Sequence, residues 1–159
     1  MRAFFGFMTL AISLFSCDES RVYEKNTDFH SRHWLVSEKP EFEFEIKDTL
    51  QSYNLYCNVR NSLDYPFARI FITYYLRDSS GVTLEKRMVR RLLFDDKTGE
   101  PNGESGLGDI YDHSIVLRTN YQFPFSGKYR ITFEQFMRTD ALAGVLAVGL
   151  RVETNNAAE

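Results

Sequence analysis

The chain has 159 residues, of which 43% are hydrophobic, 15% aromatic and 26% charged, and its formal net charge is −3. This weakly acidic balance does not suggest a nucleic-acid-binding protein, because such proteins carry a basic surface that neutralises phosphates. The composition includes only four prolines and nine glycines. It argues against disorder, and the length suits a single domain with a hydrophobic core.

An uncharged apolar stretch covers residues 3–15 and follows a single basic residue, Arg2. A helix that crosses a bilayer needs about 20 residues, so this stretch fits the hydrophobic region of a secretory signal better. It ends in Leu14-Phe15-Ser16-Cys17, which resembles the lipobox of bacterial lipoproteins. We predict that residues 1–16 are a cleaved signal peptide and that Cys17 becomes the lipid-modified first residue of the mature protein. Ordinary secretion and an uncleaved anchor are the alternatives.

Two or three acyl chains on Cys17, palmitate among them, would hold the protein at a membrane, since stable anchoring takes at least two membrane-binding signals. We expect no other cofactor. Asp18 and Glu19 follow the cysteine, and acidic residues there act as a surface-export signal in some bacteria and as a retention signal in others. The expected location is the cell envelope, with the outer membrane favoured and its face undecided.

The sequence contains two cysteines, so a lipid on Cys17 leaves Cys57 without a disulfide partner. Cys57 is in phase with Leu55 and Val59 in an alternating segment. We therefore predict that it is a small buried residue of a strand core. A reactive thiol would need a basic and accessible setting, which this pattern does not provide.

Apolar and polar residues alternate along much of the chain, as is typical of half-buried strands. The run 68–77 is apolar on both faces, which predicts a central strand covered on both sides. Turn signals lie at Asp78-Ser79-Ser80-Gly81 and at Ser126-Gly127. The predicted strands are residues 41–47, 53–60, 68–77, 84–94, 113–119, 128–137 and 145–153. Together they predict an all-β fold, a single β-sandwich of immunoglobulin-like or jelly-roll type over residues 41–153.

Three segments do not show this alternation. Residues 17–40 are polar, and we predict a lipid-anchored tether there, with an edge strand as an option and with Val22, Tyr23 and Trp34 as docking points. Residues 95–109 predict a long, acidic, glycine-rich loop. Residues 154–159 are expected to be a disordered tail.

The acidic loop offers oxygen ligands of the kind that calcium prefers, at Asp95, Asp96, Glu100, Asn102, Glu104 and Asp109. The ligand order of an EF-hand is absent, so a plain hairpin loop is favoured, and a partner-binding loop is the third alternative. Asp28, His30 and His33 could supply metal ligands, but a metal site needs further ligands. We expect no metal.

No catalytic residue is predicted, and we expect neither an enzyme nor a small-molecule substrate. No serine lies in a Gly-x-Ser-x-Gly motif. Glu43, Glu45 and Glu134 do not by themselves indicate glycoside hydrolysis, because paired carboxylates can be assembled from any acidic β protein. A hydrolase would require two carboxylates and a histidine in one cleft.

Four basic side chains share one predicted strand: Lys86, Arg87, Arg90 and Arg91. They could meet an anionic surface, such as lipid headgroups or an acidic protein. Alternatively, they could pair with Glu41, Glu43 or Glu45 on a neighbouring strand. With Asp109 and Tyr111 from the end of the acidic loop, they form our candidate partner-binding set.

Phe71, Tyr74 and Tyr75 allow a second interpretation, a platform on which sugars stack, although core packing is the commoner fate of such residues. The corresponding alternative function is a carbohydrate-binding lipoprotein of the cell envelope.

Several short segments occur in a distinctive order after the lipobox. They are Val22-Tyr23, Trp34, Tyr53-Asn54-Leu55, Asn58-Val59-Arg60-Asn61, Tyr65-Pro66, Gly106-Leu107-Gly108-Asp109-Ile110-Tyr111-Asp112, Gly127-Lys128-Tyr129, Phe133-Glu134-Gln135-Phe136-Met137-Arg138, Leu142-x-Gly144-Val145 and Val148-Gly149-Leu150-Arg151-Val152-Glu153. In this combination the chain, from about residue 17 to residue 153, resembles the gliding motility lipoprotein GldH family of Bacteroidota.

This resemblance implies a membrane-attached accessory protein of the gliding apparatus, tied to type IX protein secretion and without enzymatic activity. Its partners would be other proteins of an envelope complex, and nucleic acid would not be among them. The resemblance supplies no catalytic or ligand residues.

Overall fold

The computed structural model describes residues 20–155, and within this range the chain forms eleven β-strands and no helix. The strands are β1 (Arg21–Asp28), β2 (His33–Leu35), β3 (Glu41–Ile46), β4 (Tyr53–Ser62), β5 (Arg69–Asp78), β6 (Thr83–Leu92), β7 (Glu104–Ser105), β8 (Ile110–Tyr121), β9 (Gly127–Gln135), β10 (Ala141–Ala143) and β11 (Val145–Thr154). Cys17 lies outside the described residues, as do Asp18, Glu19 and residues 156–159.

All the strand pairings are antiparallel and build two main sheets. The five-stranded sheet has the order β1-β11-β4-β8-β7, and the four-stranded sheet has the order β3-β9-β5-β6. Strands β10 and β2 form a separate two-stranded ribbon. The sheets face each other across one core, so the prediction of an all-β sandwich is confirmed.

The core follows from the alternation in the sequence. In β4 the side chains of Leu55, Cys57 and Val59 are buried, and the residues between them face outward. Strand β5 lies between β9 and β6 and buries Ile70 and Ile72 completely. The run 68–77 is therefore a central strand of its sheet, as predicted, but it is not fully covered on both sides, because Phe71 and Tyr75 on its outer face are only half-buried.

An aromatic cluster closes one end of the core. Phe123 packs against the rings of Tyr53, Tyr121 and Tyr129, with ring centroids 5.5, 4.8 and 4.5 Å away. Phe44 adds a further edge contact at 5.9 Å. Such ring pairs add about 0.5–1.5 kcal/mol each beyond the area that they bury.

The segment before β3 belongs to the sandwich more fully than its polar sequence indicates. Strand β1 pairs with β11 along the edge of the five-stranded sheet, and Tyr23 packs on Phe44 of the opposite sheet. Trp34 is completely buried, stacks on Phe29 and donates its indole N–H to the Glu38 carbonyl at 2.9 Å. Val22 remains exposed, because its side chain faces outward from an edge strand.

Within residues 20–155, no helix is long and apolar enough to cross a membrane.

Candidate functional site

Strand β6 carries the four predicted basic residues at an edge of the four-stranded sheet, where it pairs with β5 alone among the described strands. Because side chains alternate along a strand, the four do not share a face. Lys86 and Arg90 lie opposite Tyr75 and Phe71 on the outer face of the sheet. Arg87 and Arg91 are in register with Tyr74 and Ile70, whose side chains are buried between the sheets. Arg87 and Arg91 are nevertheless exposed, because β6 is the edge strand of its sheet.

The suggested pairing of these basic residues with glutamates of β3 is wrong. Strand β3 pairs with β9, at the far edge of the same sheet. Glu43 there accepts hydrogen bonds from Lys128 at 2.7 Å and from Arg130 at 3.1 Å, which lower its pKa. Among the described residues, none of the four cations of β6 has an acidic partner within ion-pair distance.

The open edge of β6 exposes backbone groups as well as charge. The Leu93 amide donates to the Ala68 carbonyl at 2.8 Å, just beyond the Arg69–Leu92 pair. Antiparallel ladders alternate bonded and non-bonded pairs, so the bonded residues of β6 are the odd-numbered ones. The N–H and C=O groups of Lys86, Met88 and Arg90 therefore point away from β5.

The three aromatic residues of β5 have different surroundings. Phe71 is half-buried and lies opposite Arg90 of β6. Tyr74 is completely buried and donates its hydroxyl to Glu85 at 2.7 Å. Tyr75 is half-buried and donates to Glu134 at 3.0 Å, while the charged groups of Arg77 and Lys86 lie 5.2 and 5.1 Å from its ring centroid. A sugar would have to displace these cations before stacking there.

The acidic loop is folded into two tight turns. Asp95 Oδ1 accepts hydrogen bonds from the amides of Lys97 at 2.8 Å and Thr98 at 2.9 Å, and these bonds lower the pKa of the Asp95 carboxyl. A β-bridge joins Phe94 to Pro101 at the base of the first turn. In the part of the chain that the structure describes, no three His, Cys, Asp or Glu side chains are grouped to hold a metal ion.

Asp109 and Tyr111 lie in the second turn, the β7–β8 hairpin at the edge of the five-stranded sheet. Asp109 is exposed, and its carbonyl accepts a hydrogen bond from the Leu63 amide at 3.1 Å. Tyr111 is half-buried and pairs with Ser105 and Asn61. The structure thus divides the candidate partner-binding set between two sheets.

A polar groove of about 510 Å³, which the sequence patterns did not reveal, lies at the five-stranded sheet. Its lining comes from β1, β11, β4, β8 and β7, from Asn102 and Gly103 just before β7, and from Arg91 near the end of β6. The polar residues that define it are Glu24, Asn26, Asn58, Arg60, Asp112, Ser114 and Arg151. Several of these lie in the segments that carry the family resemblance, and this is the signal that could have located the groove.

Hydrogen bonds across strands fix the side chains of the groove. Arg60 binds both carboxylate oxygens of Asp112, at 2.8 and 3.2 Å. Asn58 donates to Glu24 at 3.1 Å. Arg151 donates to Ser114 at 3.1 Å, and its guanidinium lies 4.6 Å from the centroid of the Tyr56 ring. The groove therefore presents an ordered array of donors and acceptors.

His113 lies at one wall of the groove and is 4% exposed. Neither ring nitrogen has a hydrogen-bond partner, and the ring packs so closely on Gly103 that a β-carbon there would lie 2.7 Å away. Burial, assisted by the charge of Arg91, lowers the pKa of His113 to about 4, against the opposing effect of Asp112. His113 is therefore neutral at physiological pH.

Glu24, Glu104 and Asp112 line the groove beside His113, which is the grouping that a hydrolase would require. Asp112 is held by Arg60, and Glu24 by Arg21 and Asn58. The His113 nitrogens are sealed from solvent. Acid–base catalysis needs a base that reaches the substrate, and the buried His113 nitrogens do not meet that need, whereas the Glu104 carboxylate is exposed.

Comparisons with solved structures give remote likenesses. A family GH115 4-O-methyl-α-glucuronidase has a TM-score of 0.45 and 12% identity, over 92% of this chain and 19% of that chain. The VP2 protein of infectious bursal disease virus has a TM-score of 0.37 and 17% identity, over 92% of this chain and 37% of that chain. At these TM-scores neither likeness supports a conclusion about the fold or the activity of this chain.

Sequence relatives are much closer. The gliding motility lipoprotein GldH homolog of Christiangramia forsetii is 30% identical over 96% of this chain and 95% of its own length. The gliding motility lipoprotein GldH of Flavobacterium johnsoniae is 29% identical over 90% of this chain and 91% of its own length. The model of the GldH lipoprotein family matches residues 21–152, from the start of β1 to within β11. The chain belongs to the GldH lipoprotein family.

Proposed function

We propose that this chain is a lipid-anchored, non-enzymatic accessory protein of the cell envelope, which serves gliding motility and type IX protein secretion through contacts with other proteins. The family match over residues 21–152 supports this proposal, because it covers all of the sandwich except the end of β11. The names of both relatives, which are gliding motility lipoproteins, support it further.

The anchor in this proposal is Cys17, and the favoured membrane is the outer one. Labelling cells with radioactive palmitate tests the anchor: the wild-type protein should incorporate the label and sediment with membranes, and Cys17→Ser should do neither. Protease shaving of intact cells, with wild type compared against Asp18→Ser/Glu19→Ser, then tests which face the domain occupies. Labelling of Cys17→Ser equal to wild type would refute the anchor.

One observation supports β6 as the docking surface: it is an open edge strand whose four cations have no acidic partner within ion-pair distance among residues 20–155. An added strand would place alternate side chains on both faces of the sheet, opposite Lys86 and Arg90 on one and Arg87 and Arg91 on the other. A flat membrane could meet only one of these faces. Positive charges also repel a second copy of the same edge, whereas an acidic strand would neutralise them. The partner that fits is an acidic, extended segment of another protein.

Met88 offers a sharp test of this docking mode. Its amide points away from β5, so Met88→Pro should remove a donor from the open edge and leave the β5–β6 ladder intact. Met88→Ala keeps that amide and is the matched control. Co-purification from native membranes should lose partners with Met88→Pro and retain them with Met88→Ala.

Charge reversal gives an independent test of the same surface. Arg87→Glu/Arg91→Glu should lose the same partners as Met88→Pro. Lys25→Glu/Arg138→Glu reverses two exposed cations elsewhere and should retain them. Recovery of every variant with the partners of the wild type would show that β6 is not the docking surface.

The polar groove favours a second candidate function, a carbohydrate-binding envelope lipoprotein. Its fixed amide, guanidinium and carboxylate groups match the donors and acceptors of sugar hydroxyls, and Tyr56 lies beside them. A glycan array would test this function. Binding that disappears in Arg151→Ala and persists in Met88→Pro would support it over the docking function, and no binding to any glycan would exclude it.

A further inference from the structure

The two ends of the sandwich lie at different distances from Ser20, the first residue that the structure describes. At one end the Thr154 amide donates to the Ser20 carbonyl at 2.7 Å, and the Asn155 amide donates to the Ser52 carbonyl at 2.8 Å. The start of β1, the end of β11 and the loop 47–52 are therefore tied side by side. The pairs Ile46–Gly127 and Asp78–Tyr129 place the loop 122–126 and the turn 79–82 at this same end.

Each of these connections exposes an apolar side chain. Leu50 is 88% exposed, Val82 is 57% exposed and Phe125 is 46% exposed. The Phe125 ring stacks on Tyr129, and the Phe125 carbonyl accepts the Tyr129 hydroxyl at 2.6 Å, so its position is fixed. The opposite end also exposes apolar residues, among them Leu107 at 93%. Apolar character alone therefore does not distinguish the two ends.

Chain length does distinguish them. Cys17 is three residues from Ser20, and three residues in extended conformation reach at most about 11 Å. Strand β4 has ten residues, which span roughly 33 Å at the usual rise of a strand. A lipid on Cys17 therefore brings the end with Leu50 and Phe125 to the membrane surface and leaves the end with Leu107 about a strand length away.

We propose that Leu50, Val82 and Phe125 form a membrane seat, an end of the sandwich that contacts the bilayer in which Cys17 is anchored. This inference rests on the lipid anchor of the proposed function and adds the orientation of the domain. Apolar side chains gain free energy on entering the boundary between headgroups and acyl chains, and a ring such as that of Phe125 suits this depth. The sheet faces are less suitable, because they carry ion pairs such as Lys128–Glu43 and Arg60–Asp112.

Tryptophan placed at the two ends can report this orientation. The acylated full-length protein is purified from native membranes as Leu50→Trp, Phe125→Trp or Leu107→Trp and reconstituted into vesicles of phosphatidylethanolamine and phosphatidylglycerol with brominated phosphatidylcholine. Leu107 is the matched control, since its exposure is close to that of Leu50. The native Trp34 is completely buried and contributes the same background to each variant.

We expect the tryptophans at positions 50 and 125 to shift their emission to the blue and to be quenched by the brominated lipid. The tryptophan at position 107 should show neither effect. The double variant Leu50→Asp/Phe125→Asp should still float with the vesicles. A Val82→Trp probe added to this double variant should lose the quenching by brominated lipid that it shows in the otherwise wild-type protein. Two results would overturn the membrane seat: equal quenching of the tryptophans at positions 107 and 50, or no quenching at positions 50, 125 and 107. In either case, flotation of the protein with the vesicles would still support the lipid anchor. Failure of the wild-type protein to float would overturn the anchor and the seat together.

Discussion

Gly149 of β11 lies directly beneath the side chain of Asn26 on the neighbouring strand β1. Asn26 Oδ1 occupies the space that a β-carbon at position 149 would need, and the Lys25 carbonyl oxygen would lie 2.7 Å from that carbon. The edge strand β1 can approach β11 here only because position 149 has no side chain. This contact also shapes the polar groove, in which Asn26 is part of the lining.

Gly149→Ala should therefore displace β1 and lower the free energy of unfolding by about 1–3 kcal/mol, the usual cost of overpacking. Urea denaturation measures the change. Gly106→Ala is the control, because a β-carbon there would meet its nearest neighbour at 3.4 Å. Adding Asn26→Ala should recover part of the loss at position 149. Equal stability of Gly149→Ala and wild type would contradict this account of the contact.

Glu85 of β6 connects the two sheets through hydrogen bonds to a residue of each. It accepts hydrogen bonds from the buried Tyr74 hydroxyl at 2.7 Å and from Arg118 of β8 at 2.9 Å. Glu85→Ala should lower the free energy of unfolding by about 1–3 kcal/mol, because it leaves a buried hydroxyl without a partner. In a Tyr74→Phe background the same substitution should cost less, and a double-mutant cycle by urea denaturation measures the difference. Strictly additive effects would show that the two residues are not coupled.

His113 should make folding stability depend on pH. Its pKa in the folded protein is about 4, below the ordinary 6.5, so the unfolded chain binds the proton more readily. The contribution is fully present above pH 6.5 and is lost as the pH falls towards 4, for a total on the order of 3 kcal/mol. His113→Leu should show a shallower decline of stability between pH 7 and pH 4.5 than wild type in urea titrations. Parallel declines would contradict the prediction.

Cys57 should be chemically silent in the folded protein. Its thiol is completely buried, and burial raises its pKa well above the ordinary value. In the Cys17→Ser variant, where Cys57 is the sole thiol, Ellman's reagent at pH 8 should detect no thiol in buffer and one per chain in concentrated urea. Rapid reaction of the folded protein would show that the core opens around β4.

The burial of Cys57 was predictable because the information is local. Alternation has a period of two residues, so Leu55, Cys57 and Val59 must share a face wherever the strand lies. The same rule shows that Lys86 and Arg87 occupy opposite faces, so the four basic residues of β6 do not form one surface. The free edge of β6 was not predictable, because it depends on which strands neighbour β5.

The segment before β3 shows a second limit of predicting strands from sequence patterns. The polar pattern of residues 21–28 resembles a tether, since an edge strand buries little of either face. Pairing with β11 supplies the stability that its own side chains do not. Short strands such as β2, β7 and β10 also escaped prediction, because two or three residues are too few to show a period.

By itself, the sequence determined seven of the eleven strands, the all-β class and the family to which the chain belongs, because alternation and ordered motifs are properties of neighbouring residues. Only the tertiary structure decided that Glu24, Arg60, Asp112 and Arg151, from four different strands, share one groove, and that the cations of β6 stand on an open edge. Strand order and register arise from packing between residues far apart in the chain, and no local pattern records them.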